Sequence, residues 1–131
     1  MDEHGLLAGK RVLVVEDEML VLMAIEDMLT DLGCTSITVA GNVDRALELI
    51  AANSFDLATL DVNLNGQQSY PIAAALSEHG VPFAFSTGYG EHGLTDSHQR
   101  RIVLNKPYTR PQFIEVITAL IAAGAPPALA A

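Results

Sequence analysis

Five continuous apolar runs of strand length recur along the chain, and each is separated from the next by a longer segment with helical spacing. A run that is apolar at every position belongs to a strand buried on both faces, as in a parallel sheet covered by helices. Five such strand–helix units predict an α/β fold with an open, doubly wound, five-stranded parallel sheet. The runs lie near residues 11–15, 35–40, 55–60, 82–86 and 101–105.

Four of the helical segments carry clear signals at their ends. The first helix, over residues 18–32, places apolar residues on one stripe and polar residues opposite. Glycine, asparagine, proline and a capping box are the signals for helix ends and starts. They are Gly33 after the first helix, Asn42 before the second, Pro71 in the first turn of the third, and Thr109 with Gln112 at the start of the last.

The segment between Thr87 and Arg100 is a poor helix former. It holds three glycines and one large aliphatic residue, and Asp96 and Ser97 favour helix caps over helix interiors. We therefore predict a fourth helix that is short, mobile or partly formed. The tail 124–131 has nothing to fold against, and we expect it to be disordered.

Charged and hydroxyl residues follow or end four of the five runs. The carboxyl ends of parallel strands meet at one edge of the sheet, where ligands bind. Carboxylates that meet there repel one another unless a cation lies between them, and Mg²⁺ takes one or two carboxylates together with phosphate oxygens. A carboxylate beside such a cation can attack phosphorus and become an acyl phosphate. The residues are Glu16, Asp17, Asp61, Ser86 or Thr87, and Lys106.

Each of these residues also has an ordinary structural interpretation. Acids before a helix complement the helix dipole, and an aspartate or threonine at a strand end is often a turn residue. Lys106 could be a solvated surface lysine, with Pro107 ending the strand. Their joint occurrence at four strand ends favours a site for phosphoryl chemistry.

In four ordered motifs the chain resembles the receiver domains of two-component response regulators, over about Lys10 to Ala123. The resemblance implies a flavodoxin-like fold with strand order 2-1-3-4-5. Residues 82–90 further resemble the Phe-Ala-Thr-Gly-Tyr subfamily, whose members are often single-domain proteins of alphaproteobacteria. The motifs are Val-Val-Glu-Asp-Glu (14–18), Leu-Asp-Val-Asn-Leu (60–64), Ser-Thr-Gly (86–88) and Asn-Lys-Pro-Tyr (105–108).

The resemblance implies a role for each acid. Asp61 would accept a phosphoryl group from a sensor histidine kinase or a histidine phosphotransferase. Asp17, Asp61 and the backbone carbonyl of Asn63 would bind Mg²⁺ directly, and Glu16 would act through water. Such a protein is a signalling switch that catalyses only its own phosphorylation and dephosphorylation, and is not otherwise an enzyme.

The resemblance also implies which residues bind the phosphoryl group and which surface changes when Asp61 is phosphorylated. Thr87 and Lys106 would hold the phosphoryl group, with a cis peptide between Lys106 and Pro107. The fourth and fifth strands and helices would form the surface that is switched for protein binding. Many receivers carry an aromatic switch residue three positions before the lysine, but Val103 stands here. The switch candidates are therefore Thr87, Gly88 and Tyr89, with Tyr89 as a substitute for the missing aromatic residue.

Composition limits the partners and the location. The net charge of −9 argues against direct binding of nucleic acid, because an acidic surface repels phosphate backbones. The one cysteine, Cys34, allows no internal disulfide, and inert packing is its expected role. The sequence contains no membrane or export signal, which predicts a cytoplasmic protein. The expected organisation is an extension (1–9), a receiver domain (10–123) and a tail (124–131), with no output domain.

Several other functions remain as alternatives. A phosphate sink or phosphorelay intermediate would use the same residues, and a receiver-like scaffold would bind partners without phosphorylation. A haloacid-dehalogenase-type phosphohydrolase has its nucleophile before the acid pair, which is the reverse of the order here. A topoisomerase-primase-type domain needs a second acid where Asn63 stands. A flavin or dinucleotide site needs a glycine-rich turn after the first strand.

Overall fold

Strands and helices alternate through residues 5–64, 66–87, 102–105 and 109–124, the part of the chain that the computed structural model describes. The helices are α1 (Met19–Asp31), α2 (Val43–Ala52), α3 (Tyr70–Glu78) and α4 (Arg110–Gly124). The strands are β1 (Arg11–Val15), β2 (Ser36–Ala40), β3 (Leu57–Asp61), β4 (Asn63–Leu64), β5 (Gln67–Gln68), β6 (Phe83–Thr87) and β7 (Ile102–Asn105).

One parallel sheet forms the centre of the fold. Its strands lie in the order β2-β1-β3-β6-β7, and every neighbouring pair is parallel. Strand β1 pairs with β2 on one side and with β3 on the other, so residues that follow β1 and β3 emerge side by side. The parallel α/β architecture predicted from the apolar runs is confirmed.

The two faces of the sheet are covered by different helices, which is why the strands are apolar at successive positions. In β1, Leu13 and Val15 join the core beneath α2 and α3, whereas Val12 and Val14 join the core beneath α1 and α4. Side chains alternate between the faces of a strand, so each strand supplies both cores. The buried helix residues are Ile25 and Leu29 of α1, Ala46, Leu49 and Ile50 of α2, Ile72, Ala73 and Leu76 of α3, and Phe113, Ile117 and Leu120 of α4.

The predicted helix ends are confirmed by their hydrogen bonds. The Asn42 side chain accepts from the backbone N–H of Arg45 at 2.8 Å. At the start of α4 the backbone N–H of Thr109 donates to Gln112 Oε1 at 2.8 Å, and the N–H of Gln112 donates to Thr109 Oγ1 at 3.3 Å. Gly33 follows α1 with φ 91°, the left-handed conformation that glycine adopts without strain.

A short hairpin after β3 was not predicted from the sequence. Strands β4 and β5 pair antiparallel, with Asn63 opposite Gln68 and Leu64 opposite Gln67. Gly66 adopts φ 87° in the connection. The available signal was the Asn-Gly pair at 65–66, because this dipeptide favours two-residue hairpin turns.

The residues before β1 contribute to the core. Leu7 is fully buried beneath α1 and α4, and its backbone N–H donates to the carbonyl of Leu32 at 2.8 Å. Leu7 was predicted to lie in an extension, and its burial was not predicted, because a single leucine has no periodicity to indicate it.

Several predicted features lie outside the described residues. They are the helix between Thr87 and Arg100, Gly88, Tyr89, Lys106 with its peptide to Pro107, the first four residues, and the tail beyond Gly124. Within the described part of the chain, no helix has both the length and the apolar character needed to cross a membrane.

Candidate functional site

Four carboxylates lie together where β1 and β3 end. Because Val15 is the register partner of Leu60, the residues that follow these two positions reach the same edge of the sheet. One carboxylate oxygen from each acid lies within 4.8 Å of the oxygens of the other three. The acids are Glu16, Asp17, Glu18 and Asp61. The predicted convergence of Glu16, Asp17 and Asp61 is therefore present.

The four acids differ in exposure. Glu16 and Asp61 are each 2% exposed, Asp17 is half-buried and Glu18 is exposed. The backbone N–H of Glu16 donates to the carbonyl of Ala40 at 3.0 Å, which continues the β1–β2 ladder one residue past the strand. This bond holds Glu16 at the buried base of the cluster, and the chain then turns outward through Asp17 and Glu18.

Glu18 is the acid that the sequence analysis did not assign to the site. It occupies the position before α1 with an extended backbone, yet its side chain makes no capping hydrogen bond. Its backbone N–H donates to Glu16 Oε2 at 3.3 Å, so the turn between the two acids is closed by one of the carboxylates. The signal available in the sequence was its position directly after Asp17.

The charge of the cluster suits a divalent cation. Two carboxylates about 5 Å apart repel by about 3 kcal/mol at an effective dielectric constant of about 20. A hard cation removes this repulsion and prefers oxygen ligands, and Mg²⁺ keeps part of its water shell while it takes one or two carboxylates. Two buried acids with two more accessible ones offer this kind of donor set, so the residues fit Mg²⁺.

Strand β6 brings two hydroxyl residues to the same edge. Ser86 is the register partner of Asp61 and is 2% exposed. The backbone N–H of Val62 donates to the carbonyl of Ser86 at 3.3 Å, which extends the pairing of the two strands past Asp61. Thr87 is the last residue of β6 and pairs in register with Asn105 of β7.

The remaining predicted site residues lie along the same edge or outside the described chain. Asn63 begins β4, two residues after Asp61. Strand β7 ends at Asn105, and Lys106 is the next residue in the sequence, outside the described residues. The described structure thus brings the four acids together and places the ends of β6 and β7 along the same edge of the sheet.

The chain matches one protein family over most of its length. The model of the response regulator receiver domain matches residues 12–118. No curated protein sequence matches the chain.

The chain is similar to several solved structures. The chain is similar to SdrG from Sphingomonas melonis Fr1, with 35% identity and a TM-score of 0.75 over 88% of this chain and 95% of that one. It is also similar to the BeF3-activated conformation of SdrG from Pseudomonas melonis Fr1, with 36% identity and a TM-score of 0.75 over 87% of this chain and 98% of that one. A receiver protein from Sinorhizobium medicae WSM419 shares the fold, with 23% identity and a TM-score of 0.75 over 92% and 99%.

Proposed function

Because the chain belongs to the response regulator receiver domain family, we propose that it is a stand-alone, cytoplasmic phosphorylation switch in which Asp61 accepts a phosphoryl group. The donor is a sensor histidine kinase or a histidine phosphotransferase. The proposed receiver core spans residues 10–123, between an N-terminal extension (1–9) and a C-terminal tail (124–131). The observation that carries the proposal is the position of Asp61, buried at a strand end within 4.8 Å of the other acids.

The proposed reaction is a transfer between two side chains. A carboxylate oxygen of Asp61 attacks the phosphorus of the donor phosphohistidine, a new O–P bond forms, and the N–P bond breaks with its electron pair returning to the imidazole. Bound Mg²⁺ supplies positive charge that offsets the charge on the carboxylates and the phosphoryl oxygens. When Mg²⁺ is bound, Asp17, Asp61 and the Asn63 carbonyl would hold it directly, and Glu16 would act through water.

Thr87 and Lys106 are proposed to bind the transferred group. A hydroxyl donor and an ammonium group suit phosphoryl oxygens, which are acceptors that carry negative charge. Support comes from the chain order, because Thr87 ends β6 and Lys106 follows β7, two neighbouring strands. The residues Thr87, Gly88 and Tyr89 are the proposed switch segment, and protein binding at the surface formed by β6, β7, α4 and the segment between Thr87 and Arg100 is the proposed output.

The subfamily assignment rests on one stretch of sequence. Residues 82–90 read Pro-Phe-Ala-Phe-Ser-Thr-Gly-Tyr-Gly and resemble the Phe-Ala-Thr-Gly-Tyr motif. The match to SdrG over 95% and 98% of that chain supports a protein in which the receiver fold acts alone. A phosphate sink or relay intermediate would share every site residue. It would differ in passing the phosphoryl group to water or to a histidine phosphotransferase, instead of switching a protein-binding surface.

Incubation with Mg²⁺ and acetyl phosphate tests the proposal. The wild-type chain should gain an alkali-labile phosphoryl group that peptide mapping places on Asp61, and Asp61→Asn should gain none. Asp56→Asn is the matched control, because Asp56 lies at the opposite end of β3 and its carboxylate accepts from the backbone N–H of Arg11 at 2.7 Å. Equal labelling of the wild type and Asp61→Asn, or none of the wild type, would contradict the proposal.

A further inference from the structure

Strand β6 carries a buried hydroxyl whose role the proposed function leaves open. Ser86 is 2% exposed, and its Oγ makes no hydrogen bond to any other residue that the structure describes. A buried hydroxyl without a partner lowers stability, because it has lost its hydrogen bonds to water. The Ser86 hydroxyl is therefore able to donate a hydrogen bond to a group that reaches the end of β6.

The sheet places this hydroxyl next to Asp61. Ser86 and Asp61 are register partners on adjacent parallel strands, which lie about 4.8 Å apart. Alternation puts both side chains on the same face, because Leu57 and Ala84, an even number of residues away, belong to the core beneath α1 and α4. Both residues are 2% exposed, so water does not compete freely for the hydroxyl.

Thr59 carries a second buried hydroxyl, and its position can be compared with that of Ser86. It lies two residues before Asp61 on the same face of β3, it is 2% exposed, and its hydroxyl also has no partner among the described residues. The register partner of Thr59 is Ala84, so Thr59 lies two residues further than Asp61 from the carboxyl ends of the strands. Two buried hydroxyls of the same kind therefore lie at different distances from the phosphoacceptor.

We propose that Ser86 is an additional phosphoryl-binding residue, whose hydroxyl donates a hydrogen bond to the group carried by Asp61. This inference rests on the proposed function of Asp61. An unmodified carboxylate offers two acceptor oxygens, whereas the aspartyl phosphate adds three phosphoryl oxygens beside the end of β6. The Ser86 hydroxyl thus gains an acceptor when Asp61 is phosphorylated. This hydrogen bond stabilises the phosphorylated state relative to the unphosphorylated one.

Beryllofluoride with Mg²⁺ is the probe, because it occupies the phosphoryl position without a covalent transfer. In Ser86→Ala the beryllofluoride concentration for half-saturation, followed by ¹⁹F NMR, should rise about tenfold, since a hydrogen bond to a charged group is lost. The thermal midpoint without Mg²⁺ and beryllofluoride should stay the same or rise, because an unpartnered buried hydroxyl has been removed. A purely structural serine would instead lower that midpoint and leave the affinity unchanged.

Thr59→Val is the matched control. It removes a buried, unpartnered hydroxyl from the same face with little change in shape, and its half-saturation should stay within about twofold of the wild type. Ser86→Cys keeps nearly the same volume with a weaker donor and should give an intermediate loss.

The possible results separate this inference from the proposed function. Failure of the wild type to bind beryllofluoride overturns both. Binding by the wild type and Ser86→Ala with equal affinity overturns the role of Ser86 and leaves that of Asp61 in place. If Ser86→Ala and Thr59→Val weaken beryllofluoride binding equally, the role of Ser86 is also overturned. The effect would then come from the loss of any buried hydroxyl on this face of the sheet.

Discussion

Cys34 shows how burial changes the chemistry of a single residue. Its side chain is 4% exposed, and its Sγ donates to the carbonyl of Ser36 at 3.5 Å. Burial raises the pKa of the thiol above its ordinary value of 9.0, and a backbone hydrogen bond with Ser36 partly opposes the rise. A buried thiol with a raised pKa is a poor nucleophile, which agrees with the predicted packing role.

We predict that the alkaline loss of stability depends on Cys34. The folded thiol has the raised pKa, so its contribution is fully present below the unfolded pKa of 9.0 and is lost as the pH rises above it. The free energy of unfolding should fall by up to about 1.4 kcal/mol per pH unit there. Burial also raises the pKa of Tyr70 above 10.0, which adds a second decline at higher pH.

The variant Cys34→Ala distinguishes the contribution of Cys34 to the pH dependence of stability from that of Tyr70. Urea unfolding of this variant should show a flatter dependence on pH just above 9 and should retain the later decline from Tyr70. Identical slopes in the wild type and the variant would contradict the assignment to Cys34.

The helix α2 illustrates how local signals combine within one element. Asn42 caps its first turn, Asp44 lies in that turn, and Ala46, Leu49 and Ile50 face the core. The cap satisfies an N–H that no helical carbonyl can reach, and the acid complements the positive end of the helix dipole. Such signals act over a few residues and can therefore be read from sequence. The hairpin β4–β5 depends on similar local chemistry, but two residues per strand are too few for a recognisable alternation.

We predict that Asn42→Ala lowers the free energy of unfolding by about 1 kcal/mol, because the hydrogen bond to the N–H of Arg45 is lost. Asn53→Ala is the control at the other end of the same helix, where the Asn53 side chain donates to the carbonyl of Leu49 at 3.1 Å. It should cost a few tenths of a kcal/mol, because the carbonyl can accept from water instead. Urea unfolding measures both, and equal losses would argue against a special role for the cap.

At the scale of the whole molecule, the net charge of −9 is unevenly placed. Four of the 16 acids gather at one edge of the sheet, and two of these are buried. Their repulsion opposes folding in the absence of a cation. Metal binding and folding are therefore expected to be coupled.

We predict that Mg²⁺ raises the thermal midpoint relative to EDTA at the same ionic strength. At a hundredfold excess over Kd the gain should be about 2.7 kcal/mol. Asp61→Asn should unfold at a higher temperature than the wild type in EDTA, because repulsion is relieved, and should gain less from Mg²⁺. Asp27→Asn changes the net charge equally on an exposed part of α1, so it should behave as the wild type does. A wild type with equal midpoints in Mg²⁺ and EDTA would contradict the metal site.

Three of the four acids in the site could be predicted from the sequence, and one could not. Glu16, Asp17 and Asp61 were placed at strand ends by the apolar runs that precede them. Glu18 was not assigned to the cluster, because the predicted first helix already begins at residue 18, whereas α1 begins at Met19. The difference in exposure between Glu16 and Glu18, two residues apart, depends on the backbone bond to Ala40, which sequence spacing does not show.

The amino-acid sequence was enough to predict the strands of the parallel sheet, helices α1 to α4, the helix caps and the positions of three of the four acids, but not the β4–β5 hairpin. These features could be predicted because propensity, periodicity and capping act between near neighbours in the chain. Three features depend on the folded chain: the carboxylates lie within 4.8 Å of one another, Leu7 is buried, and Ser86 lies beside Asp61. These features depend on strand register and on packing between segments far apart in the chain, where no local preference determines which residues meet.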